Sequence, residues 1–171
     1  ETCVANLLGA GAYEVVVVVG HRGDEVRAAL AGETRVRFAV NEVEGSEMGV
    51  SVARGVEAVS VGAKAVLVAL VDYPAVPPRA IESLIEARAR TGARLVVPEW
   101  RGRGGHPVLV DLTLREELLS VVQDKGLRAL FDAHGAEVLR VPSDSPFVAR
   151  DMDTWDEYVA LHTDVFGVPP K

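Results

Sequence analysis

Asp72, Asp151 and Asp153 are oxygen donors of the kind that a hard divalent cation such as Mg2+ requires, and the chain carries no Cys/His cluster that would select a softer metal. His106 is a titratable ring set between Gly105 and Pro107, where the glycine lets backbone approach a ligand and the proline directs the exit of the loop. Arg101 and Arg103, on the same glycine-rich stretch, have the reach to meet a phosphate or to lie solvated at the surface. Each residue also has a plain structural reading. Asp72 precedes Tyr73-Pro74 and suits the start of a turn, Asp153 and Thr154 stabilise a helix start without any ligand, and a lone histidine is commonly a hydrogen-bonding member of the core.

The element that must position Asp72 is the stretch AVLVALVDYPAVPP, Ala65 to Pro78. Its apolar run from Ala65 to Val71 reads as a strand buried on both faces, with Asp72 at the carboxyl end, where open α/β sheets place their ligand crevice. Around it the chain alternates. A helix over Glu1 to Leu8 precedes a strand over Tyr13 to Val19; Asp24 caps a helix to Leu30, and Val36 to Val40 forms the next strand. Asn41 to Ser46 is a polar loop before a helix over Glu47 to Val59, and Pro77-Pro78 opens a helix to about Arg90. Leu95 to Val97 is a strand, and WRGRGGHP after it holds too many glycines for a regular element. Leu114 to Val122 and Gly126 to Ala133 read as helices, Glu137 to Val141 as a strand and Phe147 to Ala149 as a short extended segment. Thr154 and Glu157 have capping-box spacing at the head of a helix to about His162. The expected fold class is α/β, a three-layer sandwich around a mostly parallel, Rossmann-like sheet.

The 171 residues suit one domain, expected over residues 1–165 with a tail over 166–171. A net charge of -7 argues against broad nucleic-acid binding, and a single RGRGG in an acidic chain does not reverse that. One cysteine, Cys3, excludes an internal disulfide and a cysteine-rich zinc site, so a reducing, cytoplasmic setting is expected. No apolar run is long enough to cross a bilayer. A P-loop, a G-x-G-x-x-G after a first strand and a G-x-S-x-G elbow are all missing, which disfavours a P-loop kinase, a nicotinamide dehydrogenase and an α/β-hydrolase.

Six segments in order, VVVVVGH (Val15 to His21), Asn41 with EMGVSVARG (Glu47 to Gly55), LVDYP-x-VPP (Leu70 to Pro78), GGHPVL (Gly104 to Leu109), DKGLRALF (Asp124 to Phe131) and DMDTWDEY (Asp151 to Tyr158), resemble the MobA-like nucleotidyltransferase family, and most closely its molybdenum cofactor cytidylyltransferase branch. The resemblance implies transfer of a nucleoside monophosphate, CMP from CTP, to a molybdopterin-type acceptor with release of pyrophosphate, and a molybdoenzyme as downstream partner. It implies Asp72 as catalytic Mg2+ ligand, Asp151 as second acidic ligand with Asp153 close by, Ser51 as a nucleotide contact, and Gly105 and His106 in the loop lining the acceptor side. Tyr73 stands where that branch often has Gln, and Glu47 where it often has Gly.

The family opens with a strand and a phosphate-holding loop, L-A-A-G-x-S-x-R-M-G followed by a lysine, and this sequence begins after that point. The expectation is therefore an N-terminally incomplete record, a cleaved form or a late start, with unpaired backbone and an open groove where a central strand would lie. Two alternatives stand beside the leading reading. One is a nucleotidyltransferase acting on a sugar phosphate or other phosphorylated acceptor; the other is a non-catalytic cofactor-binding module lacking the triphosphate loop.

Overall fold

A computed structural model describes residues 1–170 apart from Glu44; of residues 121–124 it describes the backbone alone. The Asn41 to Ser46 loop is thus described on either side of Glu44, the side chain of Asp124 at the head of DKGLRALF lies outside the description, and so does Lys171 of the tail.

Strand β4 (Leu95–Trp100) shows why the molecule is layered. Its side chains alternate across the pleat: Leu95 and Val97 enter one core with Val108 and Val110, while Val96 enters another with Leu109 on the opposite face. Helices must therefore cover both faces. On the first lie α3 (Met48–Ala58), through Ala53 and Val56, and α5 (Arg115–Ala133), through Leu118, Leu127 and Leu130. On the second lies α4 (Pro78–Thr91), through Leu84 and Ala87. Helix α1 (Thr2–Gly9) joins the start of α4 in a further cluster, where Val4, Leu7 and Leu8 meet Ala80, Ile81 and the fully buried Val148.

The sheet is mixed, and the expected parallel sheet holds in part. Strands β1 (Val15–Val19) and β2 (Val36–Val40) pair in parallel, as do β4 and β7 (Val138–Pro142). Strand β6 (Val108–Asp111) runs against both of its neighbours, β4 and β3 (Ala65–Val68). The connection from Trp100 to Val108 is too short for a parallel crossover, which needs about a dozen residues, so the chain has to return antiparallel. Part of WRGRGGHP is regular after all: Arg103–Gly104 forms β5 and pairs with Trp100 and Glu99, because a hairpin tolerates glycine where a longer strand would not.

Other departures are local. Helix α2 (Gly23–Ala29) starts one residue before Asp24, which stabilises the first turn by charge instead of capping it. The two expected helices over 114–133 are one element broken at Gly126, whose φ of 72° and ψ of 167° interrupt the helical backbone. Pro146–Ala149 coils into a 3-10 turn capped by Ser145 rather than extending. The Thr154–Glu157 capping box is present and opens α6 (Trp155–Phe166).

The largest correction concerns the central run. Regular pairing ends at Val68, the residues of β3 are half-buried, and Val71 is 85% exposed. The cause is a groove of about 950 Å³ lined by Val15–Val18 of β1 on one side and by Ala65–Val71 on the other. Among the described residues β1 pairs with β2 alone and β3 with β6 alone, so the facing edges of the two sheets border this groove.

Close packing at Gly105 yields a test. A Cβ built on Gly105 would lie 1.7 Å from the carbonyl oxygen of Val148, while one on Gly135 meets nothing within 4 Å. Gly105→Ala is expected to lower unfolding free energy by about 3 kcal/mol in urea titration, and Gly135→Ala to stay within about 0.5 kcal/mol. Similar behaviour of the two variants would show that the Gly105–Val148 approach is not a constraint.

Candidate functional site

Asp72 lies four residues beyond the last paired residue of β3, half-buried in the turn that Leu70 and Tyr73 close, with the Tyr73 amide donating to the Leu70 carbonyl at 3.2 Å. That turn is held from below by α1: Asn6 donates through Nδ2 to the Val76 carbonyl at 2.9 Å and approaches the Pro74 carbonyl at 3.4 Å. Cys3 adds weaker contacts, its Sγ lying 3.9 Å from the carbonyl oxygens of Val71 and Tyr73. Asn6 was not singled out from the sequence. Its signal was a polar amide within the apolar run of α1, a position at which a buried polar group has to find partners.

Asp151 and Asp153 sit on the exposed turn before α6, with the Asp153 amide donating to Glu157 Oε2 at 3.0 Å. Far apart in sequence, these acids and Asp72 are all near enough to one side chain to act on it electrostatically. Burial pushes the Tyr73 hydroxyl above the ordinary tyrosine range, and the carboxylates of Asp151, Asp72 and Asp153 push it further, against the pull of the Arg103 guanidinium. Asp72 also acts on Cys3 and on His106. Three carboxylates and one guanidinium thus act electrostatically on the Tyr73 hydroxyl beyond the end of β3.

Arg103 is brought to this cluster and Arg101 is not: Arg101, in the left-handed region with φ of 49°, lays its guanidinium over the Trp100 ring at 4.8 Å. Ser51 stands apart from the acids. Its hydroxyl accepts from Asn41 Nδ2 at 3.0 Å, and the same amide reaches Ser46 Oγ at 2.8 Å, folding the loop after β2 onto the first turns of α3. Ser51 also lines the groove, as do Met48 and Val52 of the same helix.

The loop of Gly105 and His106 approaches protein rather than open solvent. The Gly105 amide donates to Pro98 O at 2.9 Å, the His106 amide donates to Val148 O at 2.8 Å, and His106 Nδ1 lies 3.3 Å from Val68 O. A carbonyl oxygen accepts, so Nδ1 carries the proton in this contact. The ring also packs on Tyr73, with centroids 5.1 Å apart and planes tilted by 53°. This Tyr73–His106–Val148 linkage was invisible in the sequence, where the three residues are widely separated.

Among the described residues no three His, Cys, Asp or Glu side chains are grouped so as to hold a metal ion by themselves. The donor set still fits a hard divalent cation. Mg2+ is typically bound by one or two carboxylates with water and substrate phosphate completing the shell, and Asp72 and Asp151 have the donor chemistry for such a pair. No helix among the described residues is long and apolar enough to cross a membrane.

Burial holds the His106 imidazole below its usual range, so the folded chain keeps it neutral where the unfolded chain, at about 6.5, begins to protonate. As pH falls the unfolded state binds the proton first. The stability contributed by neutral His106 is thus complete above pH of about 6.5 and is lost on acidification toward the folded value. Between pH 7 and pH 5, urea titration is expected to show a larger loss of stability for the native chain than for His106→Gln; equal losses would remove the assignment.

Residues 1–138 match the MobA-like NTP transferase domain. A bifunctional protein GlmU from Geobacter metallireducens is 36% identical over 88 residues, which is 52% of this chain and 18% of that protein. Among solved structures, a nucleotidyl transferase from Methanothermobacter thermautotroptrophicus is similar with a TM-score of 0.81 at 25% identity, over 98% of this chain and 80% of that one. Rv0371c from Mycobacterium tuberculosis H37Rv, solved as a complex with manganese, is similar with a TM-score of 0.73 at 27% identity, over 94% of this chain and 83% of that one. With a layered α/β fold and the MobA-like NTP transferase domain matched over residues 1–138, the chain belongs to the MobA-like NTP transferase family of nucleotidyltransferases.

Proposed function

We propose that this protein transfers a nucleoside monophosphate from a nucleoside triphosphate to a phosphorylated acceptor and releases pyrophosphate, with CTP as donor and a molybdopterin-type cofactor as acceptor. The reading is supported by the match of residues 1–138 to the family's domain, and by the carboxylates of Asp72 and Asp151 both acting on the Tyr73 hydroxyl beyond the end of β3. The choice of CTP and molybdopterin rests on the six motif segments and their resemblance to the cytidylyltransferase branch.

The chemistry asks for positioning and charge neutralisation more than for a protein nucleophile. The acceptor phosphate oxygen attacks the α-phosphorus in line, a new P–O bond forms, the bond to the β-phosphate oxygen breaks, and pyrophosphate leaves with the electron pair. Asp72 and Asp151, with Asp153 close by, would hold a divalent cation, which would supply neutralisation of charge on the α-phosphate and on the departing pyrophosphate. Asp72 brings rigidity, because the turn that carries it is tied to α1 by Asn6. Arg103 brings a positive charge to the same cluster and is suited to a phosphate oxygen of either substrate. Ser51, on the groove beside Asn41, is assigned to the nucleotide. Gly105 and His106 line the acceptor side through the loop they shape.

The assay is pyrophosphate release by the purified full-length protein with each nucleoside triphosphate, Mg2+ or Mn2+, and a panel of acceptors comprising molybdopterin cofactor and sugar phosphates. CTP with molybdopterin cofactor is expected to give the highest kcat/KM, and Asp72→Ala to lower kcat by at least about 100-fold. Unchanged turnover in Asp72→Ala refutes the metal role, a sugar phosphate as best acceptor transfers the reading to that substrate class, and no turnover with any pair favours a binding module.

A further inference from the structure

The two acid-bearing loops come from distant parts of the chain, and one residue between them touches both. His106 reaches the Asp72 side twice: Nδ1 bonds the carbonyl of Val68, the last paired residue of β3, at 3.3 Å, and the ring packs on Tyr73, the residue next to Asp72, at 5.1 Å between centroids. It reaches the Asp151 side through its backbone, whose amide bonds Val148 O at 2.8 Å, three residues ahead of Asp151. Val148 is fully buried and so is a firm anchor. Gly105 presses against the same carbonyl so closely that no Cβ fits there. The ring has no room for a substrate where it lies: the cavity it lines with Cys3, Asn6, Tyr73 and Pro107 measures about 20 Å³, space for about one water.

We propose that His106 is a positioning residue that fixes the separation of the Asp72 and Asp151 loops, and through it the fit of their shared cation, rather than a group that contacts the acceptor. The proposal rests on the reading that these two acids hold one divalent cation. Its logic is geometric. A carboxylate pair binds a cation well when both loops are held at the right distance before the cation arrives, and groups that orient ligands in this way typically govern metal affinity by about 10-fold or more. Replacing the side chain leaves the amide bond to Val148 intact and cuts the ties to Val68 and Tyr73, so the two loops lose registry while the loop of residue 106 stays docked.

The test is direct Mn2+ binding to the full-length protein, read by the electron paramagnetic resonance of the free ion, without any requirement for turnover. His106→Ala is expected to raise the Kd for Mn2+ about 10-fold. His106→Asn, whose amide N–H can donate to Val68 O in place of Nδ1–H, is expected to recover most of that loss. Equal Mn2+ affinity in His106→Ala and the native chain overturns the proposal, and so does an Asn variant as weak as the Ala variant. Should His106→Ala fail to fold, Tyr73→Leu removes the ring contact from the other loop: weakened Mn2+ binding supports the proposal and unchanged binding overturns it. A native chain that binds no Mn2+ overturns it as well, and the pyrophosphate assay then judges the transfer reading separately.

Discussion

The close approach of Gly105 to Val148 is the constraint on which the arrangement of the site depends. Two segments distant in sequence meet there at backbone distance, with the His106 amide paired to the Val148 carbonyl and the Gly105 amide paired to Pro98 of β4. A buried peptide group has to find a partner, and each of these finds one across the junction. The meeting brings the turn before α6 against the end of the sheet. Without it Asp151 would have no defined relation to Asp72, because the route between them passes through two helices and several strands.

Charge is then distributed in a way the fold has to offset. Three carboxylates act on the Tyr73 hydroxyl, and one guanidinium, that of Arg103, opposes them. Ion pairs elsewhere balance acid with base locally, as where Arg88 meets Asp111 at the foot of β6 or Arg37 meets Glu14 beside β1. At Tyr73 the carboxylates outnumber the guanidinium that opposes them. Lowering the Asp111 carboxyl against the effect of burial takes the Thr113 amide and the Arg88 guanidinium together, which illustrates what a carboxylate meant for structure receives from its surroundings.

The groove and the mixed sheet follow from the same topology. Because β6 returns antiparallel between β3 and β4, the far edge of β3 is left facing β1 across about 950 Å³, with valines and leucines of both strands among the residues that line that space. Ser51 opens onto the groove, while Asp72 lies in the turn beyond the end of β3.

Periodicity and punctuation made most of the elements legible in advance. Apolar runs marked β1, β2 and β4, Pro77-Pro78 marked the head of α4, and Thr154 with Glu157 marked the head of α6, since each rests on physics confined to a few neighbouring residues. Strand direction was not legible, because the length of a connection decides it and β5 lay hidden among glycines. Nor was the burial of β3, which depends on what lies beside it rather than on its own apolar composition. The acids could be nominated by residue type and motif order, but their convergence on Tyr73, the split between Arg103 and Arg101, and the bridge made by His106 exist once the chain is folded, since they are distances between residues that no local pattern connects.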